Sequence, residues 1–345
     1  MEAGAPPVYP ERSKRKATLS DVARAANVSL STASKALRNQ ERISPETRER
    51  VRKAAKDLSY TPNSFAQSLV SGRSHTIGII TQDLQGRFCT PALIGAERIL
   101  GEEKTSIMLV NAHGRPDLER THIRALLSHN IEGIIAINPE TNPRPPLDFE
   151  LNIPTVYAYA PSLNPDDCSI TCDNVDAGRL VARHLVEDAH RTRIAFIGGV
   201  ESFVASTDRL EGAQAELAEH GLSIVSPIRF GTWTEAWGRE ATLDLLDSGI
   251  SFDAVICQND QIARGCIHVL MQRGLRVPQD VAVTGHDDWD IICVDAPVPI
   301  TSVSNEVEVI GAKAAMMLVD AINGEPHHGT TYVPCKLYPR ASTIG

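Results

Sequence analysis

The stretch SLSTASK, residues 29–35, carries residue types that can hold and read nucleic acid. The side chains concerned are Ser29, Leu30, Ser31, Thr32, Ser34 and Lys35. The leucine can touch the methyl group of a thymine, Ser31 can bond a base edge, and the lysine can reach guanine acceptors. The other hydroxyls suit phosphate oxygens, which fix the register of a protein on DNA without reading sequence. The same face could instead be the solvated side of a three-helix protein-interaction module.

To present that face, the surrounding residues must form a helix-turn-helix, whose second helix enters the major groove. Two short apolar stripes at helical spacing flank Asn27, which can take the left-handed conformation of a sharp turn. The stripes are Leu19, Val22, Ala23 and Ala26, followed by Val28, Ala33, Ala36 and Leu37. Ser20 and Ser29 are expected to cap the two helices.

A third helix is predicted from SPETRERVRKAAKDLSY, with Ser44 as its N-cap and Pro45 at its first position. The residues expected to face inward are Val51, Ala54, Ala55 and Leu58. We also expect DNA contacts from Ser20, Asn39 and Asn63.

The charge of the chain is divided unequally. Residues 1–75 hold 14 Lys/Arg and 7 Asp/Glu, a balance of +7, whereas the remainder holds 20 and 36, a balance of −16. A basic head on an acidic body is typical of a nucleic-acid reader that carries a separate regulatory module. The Pro-rich residues 1–16 are expected to form a disordered tail.

The segment TPNSFAQSLVSGRSH, residues 61–75, predicts a very short helix with Phe65 and Leu69 at i,i+4 spacing. Such a helix is marginal alone in water, so its apolar side needs a partner. One partner is the minor groove of DNA, where an apolar side chain can wedge open a base step. The alternative is the body of the protein, against which a linker helix would pack.

From Thr76 onward, short apolar runs alternate with helical patterns. The strand-like runs are TIGIIT, SIMLVNA, EGIIAIN, PTVYAYA, RIAFIGG, DAVICQND and VAVTGHDD, and the helical patterns cover 91–103, 117–130, 174–189, 206–221, 234–248, 260–273 and 306–323. This alternation predicts parallel sheets covered on both faces. The series divides near DDCSITCDNVDAG into two lobes. Because ligands of such sheets bind beyond the carboxyl ends of the strands, the cleft between the lobes is the expected site.

These blocks resemble, in order and spacing, the lactose-repressor (LacI/GalR) family of bacterial transcription regulators. The resemblance covers Thr18 to Arg340 and rests on TLSDVARAANVSLSTASKALRN, ISPETRERVRKAAKDLSYTPNSFAQSLVSGRSHTIGII, GHDD and PITSV. It implies an α/β protein with a three-helix helix-turn-helix domain, a hinge helix, and a two-lobed periplasmic-binding-protein-like body with parallel sheets, whose chain crosses between the lobes three times.

The resemblance also implies that Leu69 is the wedge at the centre of the operator. Two positions depart from the family pattern, which usually has Arg where Lys35 stands and Gly where Asn27 stands. Since lysine lacks the planar fork of arginine, guanine recognition differs here.

The expected domains are a tail over 1–16, a helix-turn-helix domain over 17–62, a hinge helix and linker over 63–75, and an effector-binding and dimerisation domain over 76–345. The two lobes of the last are placed at 76–172 and 173–300, with the C-terminal segment crossing between them.

Two polar residues of the second lobe follow strands and are expected to contact the effector. Asp287, in VTGHDDW, could accept two hydroxyl bonds, whereas the neighbouring Asp288 suits loop solvation. Asn259, in CQNDQIARG, is assigned as a contact and Asp260 as the cap of the following helix.

Arg209 and Trp233 complete the second-lobe set. Arg209 offers a fork of donors near a helix start, and Trp233 could stack on a sugar ring. From the residues alone they could equally be a surface arginine and a core helix-face aromatic. The family pattern favours ligand contact for both.

In the first lobe, Asp83 and Phe88 are expected contacts, and Tyr159 stands where the family often has an acidic residue. The loop that often reads NPFF in the family reads QGRFCTP here. A sugar or sugar derivative is the expected effector class.

The resemblance implies a ligand-responsive, sequence-specific transcription regulator, a repressor that acts as a homodimer on pseudo-palindromic double-stranded DNA. The alternative is a cytoplasmic sugar-binding or sugar-processing protein on the same body. We expect no enzymatic activity and no cofactor, since P-loop, G-x-S-x-G and HExxH motifs are absent from the sequence. Seven scattered cysteines and no long apolar run predict a reduced, cytoplasmic protein with neither a metal site nor a membrane span.

Overall fold

The computed structural model describes residues 17–38, 43–61, 73–148 and 151–344. The chain divides into two compact units, Met1–Ser74 and His75–Gly345. Within the described residues, none of the helices is both long and apolar enough to span a bilayer.

The described residues of the first unit form three helices: α1 (Leu19–Ala25), α2 (Leu30–Leu37) and α3 (Pro45–Asp57). Asn27 adopts φ 51° in the turn between α1 and α2, as its residue type predicts. Ser29 and Ser44 cap α2 and α3. The expected cap at Ser20 is wrong, because Thr18 caps α1 in a reciprocal pair with Asp21.

Small side chains form the core of this unit. The buried residues are Val22, Ala23, Ala26, Ala33, Ala36, Val51, Ala54 and Ala55. Leu58 was expected among them but is 38% exposed, because α3 ends at Asp57 and Tyr60 packs against the core instead. Arg50 Nε donates to the carbonyl oxygen of Ala26 at 3.0 Å and so ties α3 to the turn.

The second unit contains two sheets. The strands are β1 (Thr76–Thr81), β2 (Ser106–Asn111), β3 (Ile134–Ile137), β4 (Thr155–Ala158), β5 (Cys168–Cys172), β6 (Ile194–Ile197), β7 (Ala254–Cys257), β8 (Ala282–His286), β9 (Thr301–Ser304), β10 (Thr330–Val333) and β11 (Lys336–Tyr338). The first sheet has the order β10-β5-β4-β3-β1-β2 and is parallel throughout. The second has the order β11-β9-β8-β7-β6, and only β11 runs antiparallel.

Helices cover both faces of each sheet, as the alternating pattern predicts. They are α4 (Cys89–Glu102), α5 (Pro116–Ser128), α6 (Asn174–Arg183) with a π-helical turn at His184–Asp188, α7 (Val204–Glu219), α8 (Glu235–Asp247), α9 (Asp260–Gln272), α10 (Asp290–Cys293) and α11 (Val307–Ile322). In the second sheet, Ile194 and Phe196 face the core under α7, whereas Ala195 and Ile197 face the core under α8 and α9. This period of two buries both faces of the strand.

The chain passes between the sheets three times: after β5, after β9 and between β10 and β11. The predicted end of the second lobe at residue 300 is wrong, since β9 and β11 also belong to its sheet. The apolar runs in the sequence also did not predict the strands β5, β9, β10 and β11. Because the helix α11 packs on α4 and on strands β3 to β5, it belongs to the first lobe, as does β10.

Candidate functional site

The amino-terminal end of α2 carries an exposed polar face. Leu30 is 52% exposed, and Ser31 and Lys35 are also exposed. The first turn of α2 holds no acidic residue, in contrast to α1, whose first turn contains Asp21. The partial positive charge of this helix end is therefore left without a local counter-charge, which suits an anion such as a phosphate group.

The hydroxyls of Ser29, Thr32 and Ser34 on this face are already engaged within the unit. Ser29 Oγ accepts from the backbone N–H of Thr32 at 3.1 Å and lies 2.8 Å from Thr32 Oγ1. Arg38 Nη2 donates to Ser34 Oγ at 3.0 Å. Arg38 itself is exposed and was not predicted as part of this face, although its position four residues after Ser34 indicated it.

Three predicted contacts, Asn39, Asn63 and Leu69, lie outside the described residues, as do the hinge helix and the tail over 1–16. Ser20 is exposed on the second position of α1 and has no cap role.

The second unit contains a cavity of about 120 Å³ between its two lobes. The lining residues are Arg87, Phe88, Pro139, Glu140, Thr141, Tyr159, Phe203, Ala205, Arg209, Trp233 and Asp287. Most of them follow the carboxyl ends of β1, β3, β4, β6 and β8, where parallel sheets place their ligands. Five of the seven predicted effector contacts are among them: Phe88, Tyr159, Arg209, Trp233 and Asp287.

Asp287 lies at the centre of the polar contacts in the cavity. Its side chain is only 5% exposed, and its backbone has φ 94° immediately after β8. Oδ2 accepts from Arg87 Nη2 at 2.5 Å, and Oδ1 accepts from Asn305 Nδ2 at 3.0 Å. Arg209 Nη2 is 4.0 Å from Oδ1. Two guanidinium groups therefore stabilise the buried carboxylate.

Asn305 joins the two lobes at this point. Its Oδ1 lies 2.8 Å from His286 Nε2, and its Nδ2 donates to Asp287 and to the hydroxyl of Tyr159 at 3.2 Å. Burial holds the pKa of His286 well below its usual value, so the ring is neutral and Nε2–H donates to the amide oxygen. Burial also raises the pKa of Tyr159 well above its usual value, so the hydroxyl keeps its proton.

A close helix crossing positions Arg209. A Cβ on Gly212 would overlap the carbonyl oxygen of Val175, so only glycine lets α7 approach α6 this closely. Arg209 then reaches Asn174 Oδ1 with Nε and the carbonyl oxygen of Gln258 with Nη1, both at 2.9 Å. The arginine is buried at 6% exposure, so the surface-arginine alternative is excluded.

Aromatic rings form the apolar walls. Phe88 stacks on Tyr159 with ring centroids 5.0 Å apart, and Phe203 lies 5.9 Å from Trp233 in a tilted arrangement. Trp233 precedes Thr234, the N-cap of α8. It therefore does not lie on a helix face, in contrast to the alternative considered from the sequence. Its Nε1 is buried and has no hydrogen-bond partner among the described residues.

The assignment of Asn259 and Asp260 is corrected. Asn259 caps α9 by accepting from the backbone N–H of Ile262 at 2.8 Å, and its Nδ2 donates to the carbonyl oxygen of Trp233 at 3.3 Å. Asp260 is fully buried behind the cavity and accepts from Ser302 Oγ and from the backbone N–H of Trp289. Neither residue lines the cavity.

Asp83 also lies outside the cavity. Its Oδ1 accepts from the backbone N–H of Gln85 at 2.8 Å in a local turn. Aspartate commonly bonds the backbone two residues further along the chain in this way, so this oxygen is used within the loop. Among the residues that sequence reasoning missed, Arg87 and Glu140 bear charge. Burial raises the pKa of Glu140 above its usual value.

A helix-turn-helix unit in one chain with a cavity-bearing body of two parallel sheets defines a class of protein: a transcription regulator with a binding-protein-like body. Two family models agree with this class. Residues 18–63 match the bacterial regulatory proteins of the lacI family, and residues 182–343 match the periplasmic binding protein-like domain.

Known relatives share this organisation over nearly their whole length. The regulator CelR of Thermobifida fusca is 32% identical over 320 residues, which cover 90% of this chain and 94% of CelR. The ribose operon repressor of Escherichia coli K12 is 31% identical over 310 residues, 89% of this chain and 93% of the relative. The chain belongs to the lacI family of bacterial regulatory proteins, and it is a DNA-binding regulator of transcription.

Solved structures of family members have the same fold. The lac repressor dimer bound to operator and the anti-inducer ONPF matches with a TM-score of 0.80 at 26% identity, covering 96% of this chain and all of that one. The complex of the transcriptional regulator CelR with cellobiose matches with a TM-score of 0.65 at 28% identity, covering 94% and 99%.

Proposed function

We propose that this regulator is a repressor that binds a pseudo-palindromic operator as a homodimer and changes its operator affinity when a small sugar-like effector enters the cavity. The observation that carries the proposal is the exposed face of Leu30, Ser31 and Lys35 in a chain whose body contains a cavity lined by charged and aromatic side chains. The relatives CytR and the lactose and ribose operon repressors are repressors by name.

The α2 face supports DNA binding in two ways. Its exposed lysine and Ser31 can reach base edges in the major groove, and the uncompensated helix end suits a backbone phosphate. A homodimer presents two such faces related by a two-fold axis, which suits an operator with two symmetric half-sites. The lac repressor structure that this fold matches is a dimer on its operator.

Exposed apolar side chains on the body support association with a second copy. Met271 on α9 is 49% exposed, and Ile291 and Val294 at α10 are 71% and 49% exposed. Apolar side chains of this size are buried more often than exposed, and burial against a second copy would remove them from water.

The cavity supports control by an effector. Asp287 and Arg209 offer hydrogen-bonding groups for hydroxyls, and Phe88, Phe203 and Trp233 offer ring faces for the apolar side of a sugar. The cavity lies between the lobes, so a ligand that binds one lobe arrangement better than another shifts the population of the two. The coupling is reciprocal: an effector that weakens operator binding itself binds less tightly to the operator complex.

We infer that the chain acts by binding and not by catalysis, in the bacterial cytoplasm where its DNA is. Its relatives are transcription regulators, and the buried carboxylate of the cavity, Asp287, is held in ion pairs with Arg87 and Arg209. A sugar-processing protein on the same body is the alternative, and it predicts turnover of a bound sugar and no preference for any DNA sequence.

The test is affinity selection of fragmented genomic DNA from the source organism with the full chain, followed by sequencing. The expected result is enrichment of fragments that share a pseudo-palindromic sequence, with affinity that falls steeply as salt concentration rises because Lys and Arg release counterions from the phosphates. Enrichment of no common sequence would contradict the proposal. Addition of single sugars to the purified complex then identifies the effector.

A further inference from the structure

Two pairs of buried thiols lie in contact within the described part of the second unit. Cys172 contacts Cys335, and Cys257 contacts Cys266. All four cysteines are free, and none is more than 7% exposed. A disulfide needs two sulfurs that can approach to about 2.05 Å, so contact between the thiols is the first requirement for such a bond.

The first pair lies where the chain crosses between the lobes. Cys172 is the last residue of β5, directly before one crossover, and Cys335 lies on another, between β10 and β11. Val333 of β10 is the register partner of Cys172, so the two strands leave the first sheet side by side. Cys335 Sγ also lies 3.9 Å from Oδ1 of Asn305, which follows β9. The three crossovers therefore meet at this thiol.

The two pairs differ in the protonation state that their surroundings favour. The hydrogen bond with Cys335 lowers the pKa of Cys172 against the opposing effect of burial, and the charge of Arg209 acts in the same direction. Burial instead raises the pKa of Cys257 well above its usual value. Because the thiolate is the nucleophile in thiol oxidation, Cys172 is the better starting point for a disulfide.

A small oxidant can reach the first pair through movement of the lobes. Cys172 lies within electrostatic range of Tyr159 and Arg209, which both line the cavity and belong to opposite lobes. Separation of the lobes therefore opens a path toward the thiol. Hydrogen peroxide is small and neutral, and transient openings of the native state admit it more readily than a bulky thiol reagent.

We propose that Cys172 and Cys335 form a reversible disulfide when hydrogen peroxide oxidises the protein, and that this bond restrains the movement of the lobes. The Cys172 thiolate attacks one peroxide oxygen, the O–O bond breaks, and hydroxide leaves, which gives a sulfenic acid on Cys172. The Cys335 sulfur then attacks the Cys172 sulfur, the S–S bond forms, and the S–O bond breaks. The departing hydroxide takes the thiol proton of Cys335. In total two thiols are oxidised to one disulfide and one peroxide is reduced to two waters.

The bond ties two of the three crossovers together at the point where they leave the first sheet. Since the lobes move relative to each other through changes at the crossovers, a covalent link there limits that movement. On the proposed function, in which effector control depends on lobe movement, oxidation would make the regulator less responsive. Cytosolic disulfides are usually transient, catalytic or redox-sensing, which fits a bond that forms only under oxidation.

The first test is disulfide mapping of the full chain. The reduced protein is treated with about a tenfold molar excess of hydrogen peroxide, alkylated in denaturant, digested and analysed by mass spectrometry. The expected product is a peptide that links Cys172 to Cys335 and disappears on treatment with dithiothreitol. The pair Cys257 and Cys266 is the internal control and should remain fully alkylated. A missing link between Cys172 and Cys335, or an equal yield of the control link, overturns the proposal.

Substitutions then assign the order of the two steps. Cys335→Ser removes the second sulfur, so the sulfenic acid on Cys172 should persist and react with dimedone. Cys172→Ser should give neither the dimedone adduct at this site nor the disulfide. The matched control is Cys168→Ser, at a buried cysteine on the same strand, which should form the bond as the wild type does. Dimedone labelling of Cys335 in Cys172→Ser would overturn the assigned order, and the mapping of the wild type needs no variant that folds.

Restraint of the lobes is measured by hydrogen exchange on oxidised and reduced protein. The backbone N–H of Asp173 donates to the carbonyl oxygen of Val333 at 3.0 Å, so its exchange reports on the paired crossovers. Exchange there should slow by at least about tenfold on oxidation, and the unfolding temperature should rise by at least about 3 °C. A formed disulfide with unchanged exchange overturns the restraint. These measurements use neither DNA nor an effector, so they fail independently of the genomic selection that tests the proposed function.

Discussion

Arg87 and Asp287 lie 200 positions apart in the sequence, yet Arg87 Nη2 is 2.5 Å from Asp287 Oδ2. The arginine belongs to the first lobe and the aspartate to the second, so this ion pair joins the two lobes at the cavity. Asn305, which follows β9, holds the other oxygen of the aspartate. Two polar contacts, Arg87–Asp287 and Asn305–Tyr159, therefore join the lobes at the cavity, and a ligand that enters must compete with them or add to them.

Asp287→Ala should abolish the response of operator binding to effector while leaving operator affinity itself unchanged. The substitution leaves Arg87 and Arg209 without their shared counter-charge and removes the main acceptor of the cavity. The measurement is fluorescence anisotropy of labelled operator with and without the effector. Asp148→Ala, at an exposed surface pair, is the control. A normal response in Asp287→Ala would show that the effector binds elsewhere.

Lys35→Ala should relax the base preference at one symmetric pair of operator positions. A lysine that reaches a guanine edge discriminates by about 1–3 kcal/mol against the wrong base, whereas a lysine on phosphate affects all sequences alike. Selection from a randomised operator library gives the preference at each position. Lys53→Ala, exposed on α3, should leave the profile as it is in the wild type. The same profile for Lys35→Ala and wild type would remove Lys35 from base readout.

Gly212→Ala should destabilise the body by about 1–3 kcal/mol, because the added methyl group forces α7 away from α6. The displacement should also weaken effector binding through Arg209, which α7 carries. Chemical denaturation measures the first effect and calorimetry the second.

Gly101→Ala is the matched control for Gly212→Ala. It lies at the end of α4, where a Cβ would meet only Glu97 Oε1 at 3.7 Å. That substitution should be neutral or stabilise by up to about 1 kcal/mol, since alanine has the higher helix propensity. Similar losses of stability for both variants would show that the close crossing of α6 and α7 does not cause the destabilisation in Gly212→Ala.

The body should lose stability as the pH rises through the range in which Asp260 titrates. Burial, and next the nearby charge of Asp287, raise the pKa of Asp260 to about 7. Between its unfolded pKa and this value the folded state holds the proton and the unfolded state does not, so the free energy of unfolding falls as pH rises. Above the folded pKa both states are ionised and the contribution is constant.

Asp260→Asn tests this dependence, because the amide resembles the protonated acid. Between about pH 5 and pH 7, the free energy of unfolding of the variant should rise relative to that of the wild type by up to about 1.4 kcal/mol per pH unit. Urea denaturation at several pH values gives the difference between the two proteins. A difference that stays constant with pH would contradict the raised pKa.

Much of the fold could be predicted from local pattern. Asn27 takes the left-handed turn that its residue type allows, and Ser29 and Ser44 cap the helices they precede. The apolar runs of β1 and β6 are continuous because both sides of each strand are buried. In contrast, β10 and β11 are short strands at sheet edges, the first largely exposed and the second half-buried, so their residues carry no continuous apolar signal.

Local pattern likewise predicted only part of the candidate site. Asp287, Arg209 and Tyr159 follow or adjoin strands that the pattern identified, and they line the cavity. Arg87 could not be found this way, because its partner lies in another lobe and no local spacing connects the two. Asn259 and Asp260 were exchanged because both residue types cap helices well. Both are fully buried, and only the hydrogen bond from the backbone N–H of Ile262 to Asn259 identifies the cap.

Only Pro334 and Cys335 separate β10 from β11, yet these two strands complete the edges of opposite sheets. The last stretch of the chain is thus a structural component of both lobes at once. A stop codon directly after Gly329 would remove both strands and leave both sheets incomplete, so neither lobe could be produced as a separate fragment by that truncation. Fusions and tags at that terminus need a spacer that leaves this final pair of strands undisturbed.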